Sequence, residues 1–499
     1  MANDKNLINN TMQKLPIKLY QAAQARELDR IAIQEFGIPG FELMTRAGVA
    51  AFQLMRTHWP QAKTIAVFCG AGNNAGDGYV VAKLALSQGL QVQVISLIDP
   101  GRLTGDAFLA YQHYGAAEGL VINYAPNQAI SADVIVDALF GTGLDRTVTG
   151  HYADAIADIN ASTAHVLAID LPSGLHADTG NALGCAVVAD QTISFIGLKQ
   201  GLFTGQAADY CGEISFSSLD IPDSVYAKLN ASAERVVKLP MPRRSRGSHK
   251  GSFGHVLIVG GEHGYSGAAR LAGEAALRVG AGLVSIATRA SHAELINLTR
   301  PELMCHGIDS AAQLSDLLAK VSVVVIGPGL GQSDWAKSLL AAVLNSALPL
   351  VVDADALNLL ARQPKFNNNW VITPHPGEAA RLLGCSTGEV QQDRFAAVSA
   401  MQKKYGGVAV LKGYGTLIAS GKDIMVSNTG NPGMASGGMG DVLSGVIAGL
   451  LAQGFSQTQA AQQGVYVHGE AADLAVTNLG ERGLLAGDLM IHLRKLVNQ

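Results

Sequence analysis

Cysteine is scarce and unpatterned: the chain has only Cys69, Cys185, Cys211, Cys305 and Cys385, and none forms a CxxC pair. That excludes a disulfide framework and a structural zinc site, and it points to a reducing compartment, so a cytoplasmic protein is expected. Charge is thin as well. Charged residues make up 15% of the chain and the formal net charge is −4, which leaves no basic footprint for nucleic acid. No apolar run is long enough to span a bilayer, so no membrane partner is expected, and VLSGVIAGLLAQGF reads as a buried helix. The opening stretch, MANDKNLINNTMQKLP, has no apolar core and does not read as a secretory signal. The absence of a GxxxxGKS or GxxxxGKT motif removes a P-loop nucleotide hydrolase.

What the chain does have is apolar material and glycine. At 499 residues and 48% hydrophobic content it can build more than one large core. Short β-branched runs alternate with helical segments: TIAVFCG, VQVISLI, VIVDALFG, HVLAIDLPSG and TISFIG in the first half. HVLIVGG, LVSIAT, VSVVVIGPG, LPLVVDADAL, WVITPHPGE and VAVLKGYGT follow in the second. Continuous apolar strands separated by helices predict parallel sheets covered on both faces, an α/β class. The pattern breaks near residues 222 to 242, where prolines and the basic cluster RRSR read as a solvated linker. Two domains are expected, residues 1–225 and 242–499, with a linker over 226–241.

In the first half, GAGNNAGDG (Gly70 to Gly78) lies between an apolar run and a segment of helical spacing. Strand, glycine-rich turn and helix N-terminus together suit an anionic ligand. Gly70, Gly72 and Ala75 satisfy a loose dinucleotide fingerprint, with Asp99 ending the next apolar run. Yet Asp77 would compete with a pyrophosphate for the same donors, which weakens a simple NAD oxidoreductase. Asp77 reads either as a helix cap or, with Asn73 and Asn74, as part of a polar site. Three further strand ends carry polar groups: VDALFGTGLDR, AIDLPSG and GLKQG. In an open parallel sheet these ends share one crevice. Oxygens of Asn74, Asp137 and Ser173, with backbone carbonyls of the 140s loop, suit a hard cation such as potassium.

GAGNNAGDG, VDALFGTGL and IDLPSG, in that order, resemble the NAD(P)H-hydrate epimerase domain over nearly all of residues 15 to 225. The resemblance implies a Rossmann-like α/β/α domain with K+ held near Asn74, Asp137 and Ser173. Substrate contacts would come from Asn73, Asn74, Ala75, Gly76 and Asp77, from Gly141, Thr142, Gly143, Leu144, Asp145, Arg146 and Thr147, and from Asp170. The nucleotide would then be the substrate, a hydrated nicotinamide cofactor, and not a hydride carrier. Interconverting its R and S hydrates needs a general acid–base near the hydroxyl-bearing carbon. Asp170 is the candidate, with Asp77 and Lys199 as helpers.

In the second half, GNPGMASGGMGDVLSGVIAGLLAQG leaves the backbone bare at Gly437, Gly438 and Gly440 before an apolar helix. Such a turn aims N–H groups at a phosphoryl group, and Asp441 at the helix start can take a proton from an attacking hydroxyl. The pattern resembles the ribokinase-like fold. SHKGSFGHVLIVGG, GPGLG, DADALN, TPHPGE and LKGYGT narrow the resemblance to the ADP- or ATP-dependent NAD(P)H-hydrate dehydratase over residues 240 to 499. It implies that Lys412, Gly413, Tyr414, Gly415, Thr416 and Gly440 hold the adenine nucleotide and that Asp441 is the base. Ala268, Gly329, Gly331 and His375 would contact the hydrate. Mg2+ would neutralise the nucleotide phosphates, with Glu378 read either as an outer ligand or as a first-turn helix acid. Asp353 and Asp355 are read as structural caps.

The two resemblances support each other, because a dehydratase selective for the S hydrate needs an epimerase to recover the R form. The expected protein repairs NADHX and NADPHX in two steps, with small-molecule substrates and an adenine nucleotide as partners, as a homo-oligomer. One alternative is a ribokinase-like vitamin or sugar kinase with a non-catalytic N-terminal module. Another is an NAD-binding oxidoreductase or sensor. A stable phosphorylated product would mark the first and tight binding of intact NAD the second.

Overall fold

The apolar runs become strands because β-branched side chains pack on both faces of a pleated sheet. A computed structural model describes residues 15–128 and 130–498, and residues 1–14, most of the opening stretch quoted above, lie outside the described residues. Packing divides the chain into two units between Glu234 and Arg235.

The first unit holds a seven-stranded sheet. In chain order its strands are Thr64–Cys69, Gln91–Ser96, Leu120–Asn123, Val134–Ala138, His165–Ile169, Gln191–Phe195 and Glu213–Ser217. All neighbours run parallel. In space the third strand lies at one edge, followed by the second, first, fourth, fifth, sixth and seventh. The order reverses between Thr64–Cys69 and Val134–Ala138, and a crevice opens at their C-terminal ends. Side chains alternate between two cores: Ile65, Val67, Val134 and Val136 face one, and Ala66, Phe68 and Ile135 face the other. The sheet is therefore the middle of three layers.

The second unit follows the same logic. Its strands are His255–Val259, Leu283–Thr288, Met304–Gly307, Val323–Ile326, Leu350–Val352, Trp370–Ile372, Val408–Leu411, Leu417–Ser420 and Asp423–Val426. The order reverses between His255–Val259 and Val323–Ile326, each of which pairs in parallel with the other and with an outer neighbour. Val256, Ile258, Val323 and Val325 pack under helices Ser266–Arg278 and Met439–Ala452. Leu257, Val259, Val324 and Ile326, on the other face, are equally buried.

The sheet is not wholly parallel, as the apolar runs had suggested. Val408–Leu411 pairs antiparallel with Leu417–Ser420, which pairs antiparallel with Asp423–Val426. The short connection Lys412 to Thr416 cannot make a parallel crossover, which needs about a dozen residues or more. LKGYGT is thus a hairpin loop.

VLSGVIAGLLAQGF forms the helix Met439–Ala452, buried along most of its length. Among the described residues no helix is long and apolar enough to cross a membrane. Glycine sets how closely this helix approaches its neighbour: a Cβ on Gly445 would run into the backbone of Ala272 in helix Ser266–Arg278. Gly445→Ala is expected to destabilise the protein by about 1–3 kcal/mol through overpacking. Gly115→Ala, where a Cβ meets open space, is expected to stabilise helix Gly105–Ala116 by about 0.5–1 kcal/mol. Urea denaturation of both variants against the parent checks the pair of signs.

Candidate functional site

At the switch point of the first unit, a cavity of about 640 Å³ lies over the strand ends. Helix Asn73–Ser87 starts at its wall, with Gly72 as N-cap. Asn73, Asn74 and Asp77 line the cavity, as do Gly141, Thr142, Gly143, Leu144, Asp145, Arg146, Asp170 and Lys199. Ala75, Gly76 and Thr147 do not line it; Ala75 and Gly76 are buried within the helix packing, where a Cβ on Gly76 would strike Met44. The Arg26 guanidinium steadies the 140s loop by donating to the Thr142 carbonyl at 3.0 Å. Asp99 plays no part: exposed, it caps a short helical turn by accepting from the Gly101 N–H at 3.0 Å. The acid that a dinucleotide-binding reading needs on the ribose is therefore spent locally.

Asp170 ends the strand His165–Ile169 with φ of 68°, a left-handed conformation uncommon outside glycine. Its N–H donates to the Ile193 carbonyl at 2.7 Å. Its carboxylate forms an ion pair with Lys199, whose ammonium also donates to Ser194 Oγ at 3.2 Å and the Phe195 carbonyl at 3.1 Å. Among the described residues Asp77 forms no ion pair: burial, then the neighbouring Asp170 charge, holds its carboxyl well above the usual range. Asp29, a residue no motif singled out, also lines the cavity, from the helix Ala22–Gln34.

Below the cavity, Asp137 is fully buried. It accepts from Ser173 Oγ at 2.6 Å, the Ser173 N–H at 2.8 Å and the Leu139 N–H at 3.2 Å. Burial nevertheless pushes its carboxyl up to about 6. The Asn74 amide donates to the Phe140 carbonyl at 2.9 Å, which leaves its buried Oδ1 without a hydrogen-bond partner. A buried carboxylate beside an orphaned amide oxygen, a hydroxyl and a carbonyl is an all-oxygen donor set short of positive charge. It suits a hard cation of low charge.

In the second unit the loops after His255–Val259 and Val323–Ile326 meet at the switch point. The Glu262 N–H donates to the Gly329 carbonyl at 2.6 Å and the Gly261 N–H to the Pro328 carbonyl at 3.1 Å. A Cβ on Gly329 would lie 3.2 Å from that of Ala268, so these two candidates adjoin. Gly331 is tied to Asp355, whose carboxylate accepts its N–H at 2.9 Å.

Asp353, read above as a cap, makes no side-chain cap at all. It is 1% exposed and accepts from Lys412 Nζ at 2.7 Å and Ser444 Oγ at 2.7 Å. Lys412 also lies 3.9 Å from Glu378. Burial alone would lower Lys412, but the two carboxylates outweigh it and hold its pKa up. A Cβ on Gly440 would come 3.1 Å from Lys412 Nζ, which sets the start of helix Met439–Ala452 against this pair. In its first turn, Asp441 is pushed up to about 7 by burial and then by the Asp353 charge.

His375 is the N-cap of helix Pro376–Leu383, its Nδ1 accepting from the Gly377 N–H at 3.0 Å. Glu378 returns the bond, accepting from the His375 N–H at 2.8 Å. Glu378 is thus a first-turn acid that also faces Lys412. Arg394, which no motif flagged, props the hairpin loop from beneath. It is 2% exposed and donates to the carbonyls of Leu411, Lys412 and Gly415 at 3.3, 3.2 and 3.4 Å. Among the described residues no group of three or more His, Cys, Asp or Glu side chains is placed to hold a metal ion.

The family described as YjeF-related protein N-terminus matches residues 40–201, and the family described as NAD(P)H-hydrate dehydratase matches residues 256–495. A bifunctional NAD(P)H-hydrate repair enzyme of Coxiella burnetii is 50% identical over 485 residues, 96% of this chain and 99% of the relative. The enzyme of that name from Escherichia coli is 45% identical over 504 residues, 99% and 97% of the two chains. Among solved structures, the ADP/ATP-dependent NAD(P)H-hydrate dehydratase of Bacillus subtilis, co-crystallised with ATP and Mg2+, is 33% identical. It covers 52% of this chain and 93% of its own, with a TM-score of 0.48.

Arg394→Met leaves three carbonyls without their charged donor. It is expected to destabilise the protein by roughly 1.5–3 kcal/mol. Chemical denaturation measures the loss, and faster amide exchange across Gly413 to Thr416 locates it.

Proposed function

The chain belongs to the bifunctional NAD(P)H-hydrate repair enzymes, and from that premise we propose how its residues divide the work. It epimerises R and S hydrates of NADH and NADPH through its N-terminal part and dehydrates the S form at the expense of ADP or ATP through its C-terminal part. The observation that carries the residue assignment is a matched one. In each unit a glycine-bared loop stands beside a largely buried carboxylate–lysine pair at the C-terminal ends of the strands, Asp170–Lys199 in one and Asp353–Lys412 in the other.

In the epimerase site, Asn73, Asn74, Asp77 and Gly141 to Arg146 receive the hydrate, and Asp170 is the general acid–base beside the hydroxyl-bearing carbon. Lys199 holds the Asp170 carboxylate in place. Asn74, Asp137 and Ser173 are the residues that would hold K+. The unpartnered Asn74 Oδ1 and the uncompensated Asp137 are what fit them to it. When bound, K+ supplies the positive charge that the buried carboxylate lacks.

In the dehydratase site, the hairpin loop Lys412 to Thr416 and Gly440 receive the adenine nucleotide, with Tyr414 exposed at the loop tip. Ala268, Gly329, Gly331 and His375 face the hydrate. Asp441 takes the proton of the hydrate's hydroxyl as the hydroxyl oxygen bonds to the terminal phosphorus of the nucleotide, whose bond to the bridging oxygen breaks to release AMP from ADP or ADP from ATP. The phosphate then leaves with the electron pair of the carbon–oxygen bond, the neighbouring ring carbon gives up a proton to solvent, and the carbon–carbon double bond of the dihydronicotinamide is restored. The acids present, Asp441 and Glu378 among them, make no protein cage but suit Mg2+ carried in on the nucleotide phosphates, whose charge it offsets. With all five cysteines free, a reducing, cytoplasmic setting completes the proposal.

The test follows dihydronicotinamide absorbance while the purified protein acts on mixed R and S NADPH hydrates with ADP or ATP and magnesium. Full recovery is expected from the parent. Asp441→Asn is expected to slow all recovery by about 10²–10⁴-fold, and Asp170→Asn to stall once the S hydrate is consumed. No recovery with either nucleotide overturns the dehydratase assignment. The pH dependence has a defined sign. Only the carboxylate of Asp441 accepts a proton, so the dehydration rate should rise as pH climbs through about 7 and lose that limb in Asp441→Asn.

A further inference from the structure

The epimerase cavity holds more carboxyls than one acid–base assignment uses. On helix Ala22–Gln34 the residues Ala25, Arg26, Asp29 and Ile33 fall on one stripe, and that stripe lines the cavity. Asp29 is the acid in it. Around it stand Asp77, Asp170, Lys199 and the Tyr226 hydroxyl from other elements, with Arg26 one turn back on its own helix. Lys199 is spent on Asp170, and the Tyr226 hydroxyl donates to the Ile196 carbonyl at 2.8 Å. Among the described residues the Asp29 carboxyl accepts no hydrogen bond and forms no ion pair within the chain, so its partner is whatever occupies the cavity.

We propose that Asp29 is a second catalytic residue of epimerisation, exchanging a proton with the hydrate's hydroxyl on one face of the ring while Asp170 does so on the other. This rests on the epimerase reading above. An NAD(P)H hydrate carries its hydroxyl on a carbon beside the ring nitrogen, and such a centre inverts by losing water and regaining it. Asp29 gives its proton to the hydroxyl oxygen as the carbon–oxygen bond breaks. The nitrogen lone pair forms the carbon–nitrogen double bond, and water departs. A water on the opposite face then bonds to the carbon, the electron pair returns to nitrogen, and Asp170 takes the released proton. Solvent exchange resets both carboxyls, and the reverse reaction swaps their roles. Asp29, Asp77 and Asp170, with Lys199 as the ammonium among them, cannot all stay ionised without cost. Burial, the largest influence on Asp29, raises its carboxyl to about 6 and so keeps a protonated fraction available.

The experiment follows conversion of purified S hydrate to R by chromatography, without nucleotide, in the full-length parent, Asp29→Asn and Asp29→Glu. Incorporation of heavy oxygen from labelled water is read alongside. Asp29→Asn is expected to lower kcat by about 100-fold or more with KM little changed, and to slow label uptake in step. The fall in rate as pH rises through about 6 should vanish in Asp29→Asn and persist in Asp29→Glu with part of the rate restored. Parental kcat and pH profile in Asp29→Asn overturn the proposal. So does an Asp29→Glu variant that binds hydrate but recovers neither rate nor pH limb. A parent that does not epimerise at all overturns the underlying epimerase reading, which tells the two failures apart.

Discussion

Where a parallel sheet reverses its strand order, the connections leaving the two central strands go to opposite faces, and the loops at their C-terminal ends part to open a crevice. This protein uses that constraint twice. In the first unit it sets GAGNNAGDG against the loop from Leu139 to Thr147. In the second it brings the Glu262 loop against Gly329. The rest of each site follows from strand length and register, which decide how far each terminal acid projects into the crevice.

Both crevices then face the same electrostatic problem. Carboxylates at the ends of buried strands lose water, and each must find compensation. Lys199 and Lys412 provide it, each approaching from a different part of the chain and each bound to its acid by a direct hydrogen bond. Removing Lys412 would strand the buried Asp353 charge, at a cost of about 3–5 kcal/mol. Such pairs do little for stability compared with an apolar core. What they do is fix one acid in place next to another whose carboxyl is pushed up, Asp77 beside Asp170 and Asp441 beside Asp353. A fixed base beside a protonatable neighbour is a usual arrangement for moving protons near neutral pH.

Much of this was legible in the sequence, and the exceptions have physical causes. Every strand with a parallel neighbour on both sides was visible because a strand buried on both faces is an uninterrupted apolar run. The edge strands Leu120–Asn123, Glu213–Ser217 and Met304–Gly307 were not, since they are only partly buried and carry mixed residues, and the short antiparallel strands Leu417–Ser420 and Asp423–Val426 were missed with them. The glycine loops announced themselves because close backbone approach excludes a Cβ. LKGYGT was seen as a loop, but its hairpin geometry was not, although five residues between two apolar runs already exclude a crossover. Asp353 looked like a helix cap because Asp before a helix usually is one. Only its long-range partners Lys412 and Ser444 show otherwise. Asp29 left one faint signal, an acid among apolar neighbours in an amphipathic helix, and Arg394, the first residue of a helix without an apolar stripe, left none.

The sequence by itself determined the α/β class, the two-part organisation and the glycine-rich turns, because these depend on local periodicity and on backbone space. Its motifs were enough to name the family. Tertiary structure alone decided which acids share a cavity, which are neutralised and which keep a free carboxyl. Ion pairs such as Asp170–Lys199 and Asp353–Lys412 join residues far apart in the chain, and the Coulomb and desolvation energies that set their state depend on distance in space, which no local pattern encodes.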